Sequence, residues 1–265
     1  MRGFTLFLNG LALFGLDPRV TIRGCRGLPF FLRDYLTFRR QNRKNHYSDV
    51  FPMGLPLPCL SDRFAESGET KGAYFHQDLH VAQRVFLNKP QDHVDVGSRI
   101  DGFVAHVASF RAIKVIDIRP LPNTIKNVSF MQANMMEPIP PHLAACTDSL
   151  SCLHAVEHFG LGRYGDPVCY DGHLRGIDNL YHLLKTGGKL YFSVPIGRQR
   201  VEFNGHRIFS VQQLLDLFKS KYNIDAFSYI DDDSVMHENV ALSDDLVKDN
   251  FGCSRGCGIF ELTKN

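Results

Sequence analysis

The sequence has almost no charge excess of either sign. Its 30 Lys and Arg stand against 28 Asp and Glu, a balance of +2. So small a balance makes no case for nucleic acid as the main partner, which would demand a basic face. A disulfide framework is missing as well, because the seven Cys are scattered and odd in number. That fits a reducing compartment and a cytoplasmic protein. The tightest pair, Cys253 and Cys257, has no second pair near it, so neither a four-ligand zinc site nor any other metal is expected. The apolar stretch "FTLFLNGLALFGL" at 4–16 falls short of the about 20 residues that span a bilayer. Arg2 before it imitates a secretion signal, yet no small-x-small cleavage site follows. A docking helix or a segment lying on a membrane surface fits it better. Repeats and low-complexity tracts are absent too.

What is present divides the chain in two. Residues 1–74 read as a basic, apolar, helical and Pro-rich extension, and 75–265 as one domain. With 44% hydrophobic residues the chain has enough apolar material for a large core. Within 19–44, Arg19, Arg23, Arg26, Arg33, Arg39, Arg40, Arg43 and Lys44 face a single acid, Asp34. Leu28, Phe30, Phe31, Leu32, Tyr35, Leu36 and Phe38 are interleaved with them. From Pro29 onward this predicts a helix, either packed through its aromatics or lying peripherally on anionic membrane. The three Pro of 50–64 predict an extended, irregular connection.

Beyond it, Leu79, Ala82, Val85 and Phe86 stand at helical spacing over 74–88. The rhythm then turns to alternation, with strands expected near 93–97, 113–118, 127–132, 148–154, 188–194, 224–230 and 257–263. Helices are expected near 101–110, 168–185 and 210–220. This order argues an α/β fold, a doubly wound and mostly parallel sheet of about seven strands.

In such sheets ligands sit beyond the carboxyl ends of the strands. The first strand ends in Asp95-Val96-Gly97, where a missing Cβ lets the backbone approach a ligand. The second ends in Asp117, at the distance where an acid meets ribose hydroxyls. The third leads to Asn134, whose amide suits an adenine edge. The fourth ends in His154 and runs on to Glu157 and His158.

Four such strand ends in succession resemble the class I S-adenosylmethionine-dependent methyltransferases, with a Rossmann-like fold, over about residues 75–265. The strings are "HVDVGSRIDGF", "VIDIRP", "QANMMEPIP", "SLSCLHAVEHFG" and "LYHLLKTGGKLYFSVP". "EHFGLGRYGDP" and "FNGHRIFS" are similar to a branch catalogued as a domain of unknown function. The resemblance implies S-adenosylmethionine as cofactor, held by Asp95, Gly97, Ser98, Arg99, Gly102, Asp117, Ile118, Asn134, Met135 and His154. One departure matters. Arg99 and Asp101 occupy positions where the first motif usually has Gly, which tells against a dinucleotide lying on that backbone and hence against a nicotinamide-dependent oxidoreductase.

Methyl transfer needs a placed acceptor and often a base. His158 is the expected base, Glu157 its orienting partner, and His206 the alternative base. Arg163, Tyr164 and Asp166 are expected in the acceptor pocket, and Gln77 and Asp78 near the cofactor. By analogy with relatives in surface-polysaccharide biosynthesis, the acceptor is expected to be a small molecule or glycan, methylated on oxygen. A non-catalytic module of the same fold is the competing expectation.

Overall fold

The computed structural model describes residues 10, 12–44, 50–68, 70 and 72–265. Residues 4–9 and 11 of the apolar N-terminal stretch lie outside these. The chain forms two compact units, Met1–Glu69 and Thr70–Asn265.

In the first unit the basic segment is one helix, α1, Pro18–Asn42. It starts earlier than expected because Asp17 and Pro18 together make a start signal. The Asp17 carboxylate accepts the Arg19 N–H at 2.9 Å, and Pro18 occupies the first turn, where its missing donor costs nothing. Pro29 therefore lies inside the helix, at the expense of one backbone bond. Gly27 faces the Leu60 carbonyl so closely that a Cβ would not fit. The Pro-rich segment lies along that side, irregular apart from a short turn at Asp62–Phe64. Phe30 and Phe64 meet edge to face at 6.1 Å, and the Arg63 guanidinium stacks on Phe30 at 4.9 Å.

The second unit begins with α2 (Ala73–Asn88) and β1 (Val94–Val96). A wide turn, Ile100–Val104, leads to the single helical turn α3 (Ala105–Ala108) and then to β2 (Ile113–Asp117). The helix expected over 101–110 is thus broken, because Gly102 adopts φ −124°, ψ −110°. Next come β3 (Val128–Gln132), β4 (Thr147–Leu153), α4 (Gly172–Leu183) and β5 (Leu184–Ile196). A small hairpin follows, β6 (Arg200–Glu202) and β7 (His206–Ile208), which periodicity did not signal. The chain closes with α5 (Val211–Phe218), β8 (Tyr222–Ile230), β9 (Met236–His237), α6 (Asp244–Lys248) and β10 (Gly256–Lys264).

The main sheet has the order β3-β2-β1-β4-β5-β10-β8-β9. Its first five strands pair in parallel, and β10 runs antiparallel to both β5 and β8. All seven expected strands are there, and the eighth is the two-residue edge β9. The Gly187-Gly188 pair lies within β5, near a register shift against β4.

Successive side chains of a strand enter opposite apolar layers. Val115, Leu153, Tyr191 and Ile259 pack with Val81, Val85 and Phe103 on one face. Their neighbours Ile116, Cys152, Phe192 and Phe260 pack with Leu180, Leu214 and Phe218 on the other. Two dry faces make the sheet doubly wound. The connections diverge between β1 and β4, and a crevice opens at the carboxyl ends of the strands there.

Candidate functional site

A cavity of about 580 Å³ occupies this crevice. Its floor is the turn after β1. Gly97 has φ +73°, and a Cβ on it would come within 2.8 Å of the Ala155 Cβ, so only glycine fits.

Asp95 holds that turn from beneath and is completely buried. Its carboxylate accepts Ser98 Oγ–H at 2.6 Å, Ser151 Oγ–H at 2.5 Å and the Ser98 N–H at 3.0 Å. The chain of polar groups continues through His93, whose ring lies 3.2 Å from Ser151 Oγ and 2.7 Å from Ser149 Oγ. Burial pushes the Asp95 carboxyl up to about 6 against its serine hydrogen bonds, and drives the His93 imidazole down to about 3. Neither Asp95 nor Ser98 faces the cavity; both brace the loop. Gly102 is set back too, against the buried Asp78 carboxylate, which leaves no room for a Cβ.

Gly97, Arg99, Asp117, Ile118, Asn134, Met135, His154, His158, Arg163, Tyr164 and Asp166 all line the cavity. Arg99 is held bidentately by Asp101, at 3.0 and 2.8 Å, with its guanidinium 5.2 Å from the Tyr74 ring centre. Asp117 receives the Arg119 guanidinium at 3.1 and 2.7 Å and its N–H at 2.8 Å. Asn134 spends its amide locally, accepting the Met136 N–H at 3.0 Å and reaching Glu137 at 3.2 Å. It therefore shapes the loop. Ile118, Leu121, Phe130, Ala133 and Met135 leave an apolar slot beside it, suited to a flat base. Tyr74, Arg119 and Phe130 are wall residues that strand-end reading missed; Arg119 stands only two places beyond Asp117.

On the opposite wall, β4 delivers His154 with a left-handed backbone, φ +50°, an uncommon conformation for a side chain with a Cβ. Its Nδ1 meets the buried Glu157 carboxylate at 2.9 Å, while Nε2 and Glu157 Oε2 have no hydrogen-bond partner among the described residues. Burial alone would lower the His154 pKa, but Cys257 and Glu157 beside it raise it well above the usual range. Burial opposes ionisation of Glu157, yet the His154 interaction holds its pKa below the ordinary value.

His158 is oriented differently from the sequence expectation. Its Nδ1 donates to the Gly205 carbonyl at 2.7 Å, so the hairpin turn, and not Glu157, sets the tautomer. Nε2 is left unprotonated, 3.5 Å from Glu157 Oε1. Burial lowers the His158 pKa, with Glu157 opposing. His206 sits behind it, 6.4 Å between ring centres, and contacts Glu202 at 3.2 Å outside the cavity lining. Arg207 is buried and staples the loop, donating to the carbonyls of Phe159 at 2.6 Å and Tyr170 at 3.0 Å. Gln77 lies beneath the cavity on Ser193 Oγ at 2.5 Å. Among the described residues no group of three or more His, Cys, Asp or Glu is placed to hold a metal ion.

Residues 128–250 match the family described as Caenorhabditis protein of unknown function, DUF268. Among solved structures the chain is similar to the 1,6-didemethyltoxoflavin-N1-methyltransferase of Burkholderia thailandensis, with TM-score 0.50 and 14% identity, over 88% of this chain and 90% of that one. The fold is that of the class I methyltransferases. The chain is also similar to the [4+2]-cyclase SpnF, with TM-score 0.51 and 15% identity over 75% of this chain and 85% of that one. No curated protein matches significantly. A methyltransferase fold with a segment that matches a family of unknown function leaves the reaction to be read from the site, since one fold hosts different chemistries.

Proposed function

We propose that the protein transfers a methyl group from S-adenosylmethionine to an oxygen of a small-molecule or glycan-type acceptor. The observation that carries this is His158, an imidazole on the cavity wall with its Nδ1–H fixed by the Gly205 carbonyl at 2.7 Å. The residues present fit the cofactor. The Gly97 turn leaves backbone room, Asp117 stands where ribose hydroxyls would meet it, and the slot beside Met135 suits adenine. The B. thailandensis methyltransferase was crystallised with S-adenosylhomocysteine, which supports the same assignment here. When bound, the sulfonium supplies an electrophilic methyl group for in-line displacement. His158 Nε2 takes the hydroxyl proton, and the Glu157 carboxylate 3.5 Å away stabilises the imidazolium that forms. His154, already paired with Glu157, keeps that carboxylate ionised.

Calorimetry with S-adenosylhomocysteine and labelled-methyl transfer over an acceptor panel test this. His158→Ala should lower turnover by about 10²–10⁴-fold and leave donor affinity nearly intact. The wild-type pH–rate profile should rise below the ordinary histidine value of about 6.5, because burial lowers the pKa of His158, and the variant should lose that limb. Binding without transfer to any acceptor would favour the non-catalytic module. Absence of binding would end the cofactor assignment.

The first unit suggests a partner of its own. We propose that α1 lies on an anionic membrane surface, because Leu28, Leu32 and Leu36 form an exposed stripe at helical spacing among arginines. No helix among the described residues is long and apolar enough to cross a membrane.

A further inference from the structure

Three arginines line the cavity, and two of them are already neutralised. Arg99 is clamped by Asp101 and Arg119 by Asp117, each through two parallel bonds of 2.7 to 3.1 Å. Among the described residues Arg163 has no carboxylate partner. Its Nη1 donates to the Gly205 carbonyl at 3.1 Å, and no described residue meets its Nε or Nη2. A guanidinium carries five donors and no acceptor, in a fork that matches an oxyanion.

The obvious neutralising group stands three residues away and is turned from it. Asp166 accepts the N–H of Gly160 at 2.8 Å, of Gly162 at 3.2 Å and of Tyr164 at 3.2 Å. Those bonds fix the loop through Gly160, Gly162 and Gly165, all at positive φ. The loop then presents Arg163 with Tyr164 beneath it, 5.2 Å from guanidinium carbon to ring centre, while Arg119 approaches the same ring at 4.5 Å. Arg163 Nη1 also lies 3.4 Å from His158 Nδ1, close to the group assigned as base. The structure thus keeps one positive charge open beside His158, and spends a nearby acid on holding it there.

We infer that the acceptor carries a carboxylate or phosphate, and that Arg163 binds this group and so places the reacting hydroxyl beside His158. The inference rests on the methyl-transfer reading for the role of the site, but anion binding can be measured apart from it. One consequence concerns the base. Arg163 is among the charges that lower the His158 pKa, so an anion neutralising it makes His158 more basic when the acceptor is in place.

The test is calorimetry on the full chain with S-adenosylhomocysteine present, titrating inorganic phosphate, glucuronate as the carboxylate probe, and glucose as the neutral one. Wild type should bind phosphate or glucuronate and not glucose; the better of the two identifies the anion. Arg163→Gln should weaken that binding about tenfold or more, and Arg163→Lys should recover part of it. Donor affinity should stay the same in both variants, which shows that the cavity is still formed. Equal anion binding by Arg163→Gln and wild type, or no preference over glucose, overturns the inference while leaving the cofactor reading intact. Loss of S-adenosylhomocysteine binding in wild type would strike the cofactor reading instead.

Discussion

The two units treat apolar residues in opposite ways. On α1 only Gly27 is buried, while Leu32 and Leu36 are each 49% exposed and Phe38 is 60% exposed. In β5, every residue from Leu190 to Ile196 is buried, with Tyr191 and Phe192 both at 0% exposure. Both regions are rich in large hydrophobic side chains, so composition does not separate them. Periodicity and charge do. The strands alternate between two covered faces, whereas α1 interleaves its leucines with arginines that cannot be buried unpaired.

Substitution in each unit sharpens that contrast most directly. Phe192→Ala removes a ring packed edge-on against Phe218 at 5.3 Å and should cost about 3–5 kcal/mol of unfolding free energy. Leu32→Ala should change it by no more than about 0.5 kcal/mol. Denaturant unfolding followed by circular dichroism compares them, and similar losses would mean that α1 belongs to a core after all.

The sheet was legible because strands covered on both faces read as short apolar runs between turns, and all seven expected strand positions hold a strand. The N-terminus of α1 is equally legible in Asp17-Pro18, where cap and first-turn proline together outweigh the lone Pro29. The site was readable only as far as strand ends go. Gly97 and Asp117 follow from topology, whereas the tautomer of His158 depends on a carbonyl at Gly205, across a hairpin that leaves no periodic signal. Likewise, no local pattern tells that Asp95 turns inward to Ser151, or that Asp166 caps its own loop and leaves Arg163 open. Those facts depend on which polar groups folding brings together.

A second, smaller contrast lies in how the units carry their acids. Asp34 in α1 is about half exposed and pairs with Arg33 at 2.9 Å, whereas Asp95 is buried with only hydroxyl and amide donors. Burial raises the Asp95 pKa from 3.8 to about 6, so the folded state binds the proton more tightly than the unfolded chain. This carboxyl therefore favours the fold at low pH and loses that contribution as pH rises through the window between those values. The difference amounts to roughly 2–3 kcal/mol. Asp95→Asn lacks this titration. Its cost relative to wild type should be larger at pH 4 than at pH 7 by about that amount, read from denaturant unfolding at both pH values. His93 contributes the same background to both proteins. A pH-independent cost would show that Asp95 is ionised throughout and that its serine bonds, not burial, govern it.

The smallest expected effect bears on the exposed stripe itself. Each Lys or Arg near an anionic surface adds about 1 kcal/mol, and the attraction is screened within about 10 Å at 0.1 M salt. Arg40 lies in the last turn of α1, on the exposed side, so Arg40→Gln should weaken recovery on anionic vesicles by about fivefold at low salt. Leu32→Ala should weaken it further, at any salt, because it removes apolar area that inserts between headgroups. The two variants separate the electrostatic from the apolar part of docking, which the wild type alone cannot do. Flotation of the full chain with neutral and anionic vesicles is the measurement. Equal recovery on both at low salt, unchanged by Arg40→Gln, would return α1 to ordinary packing and remove the membrane from the list of partners.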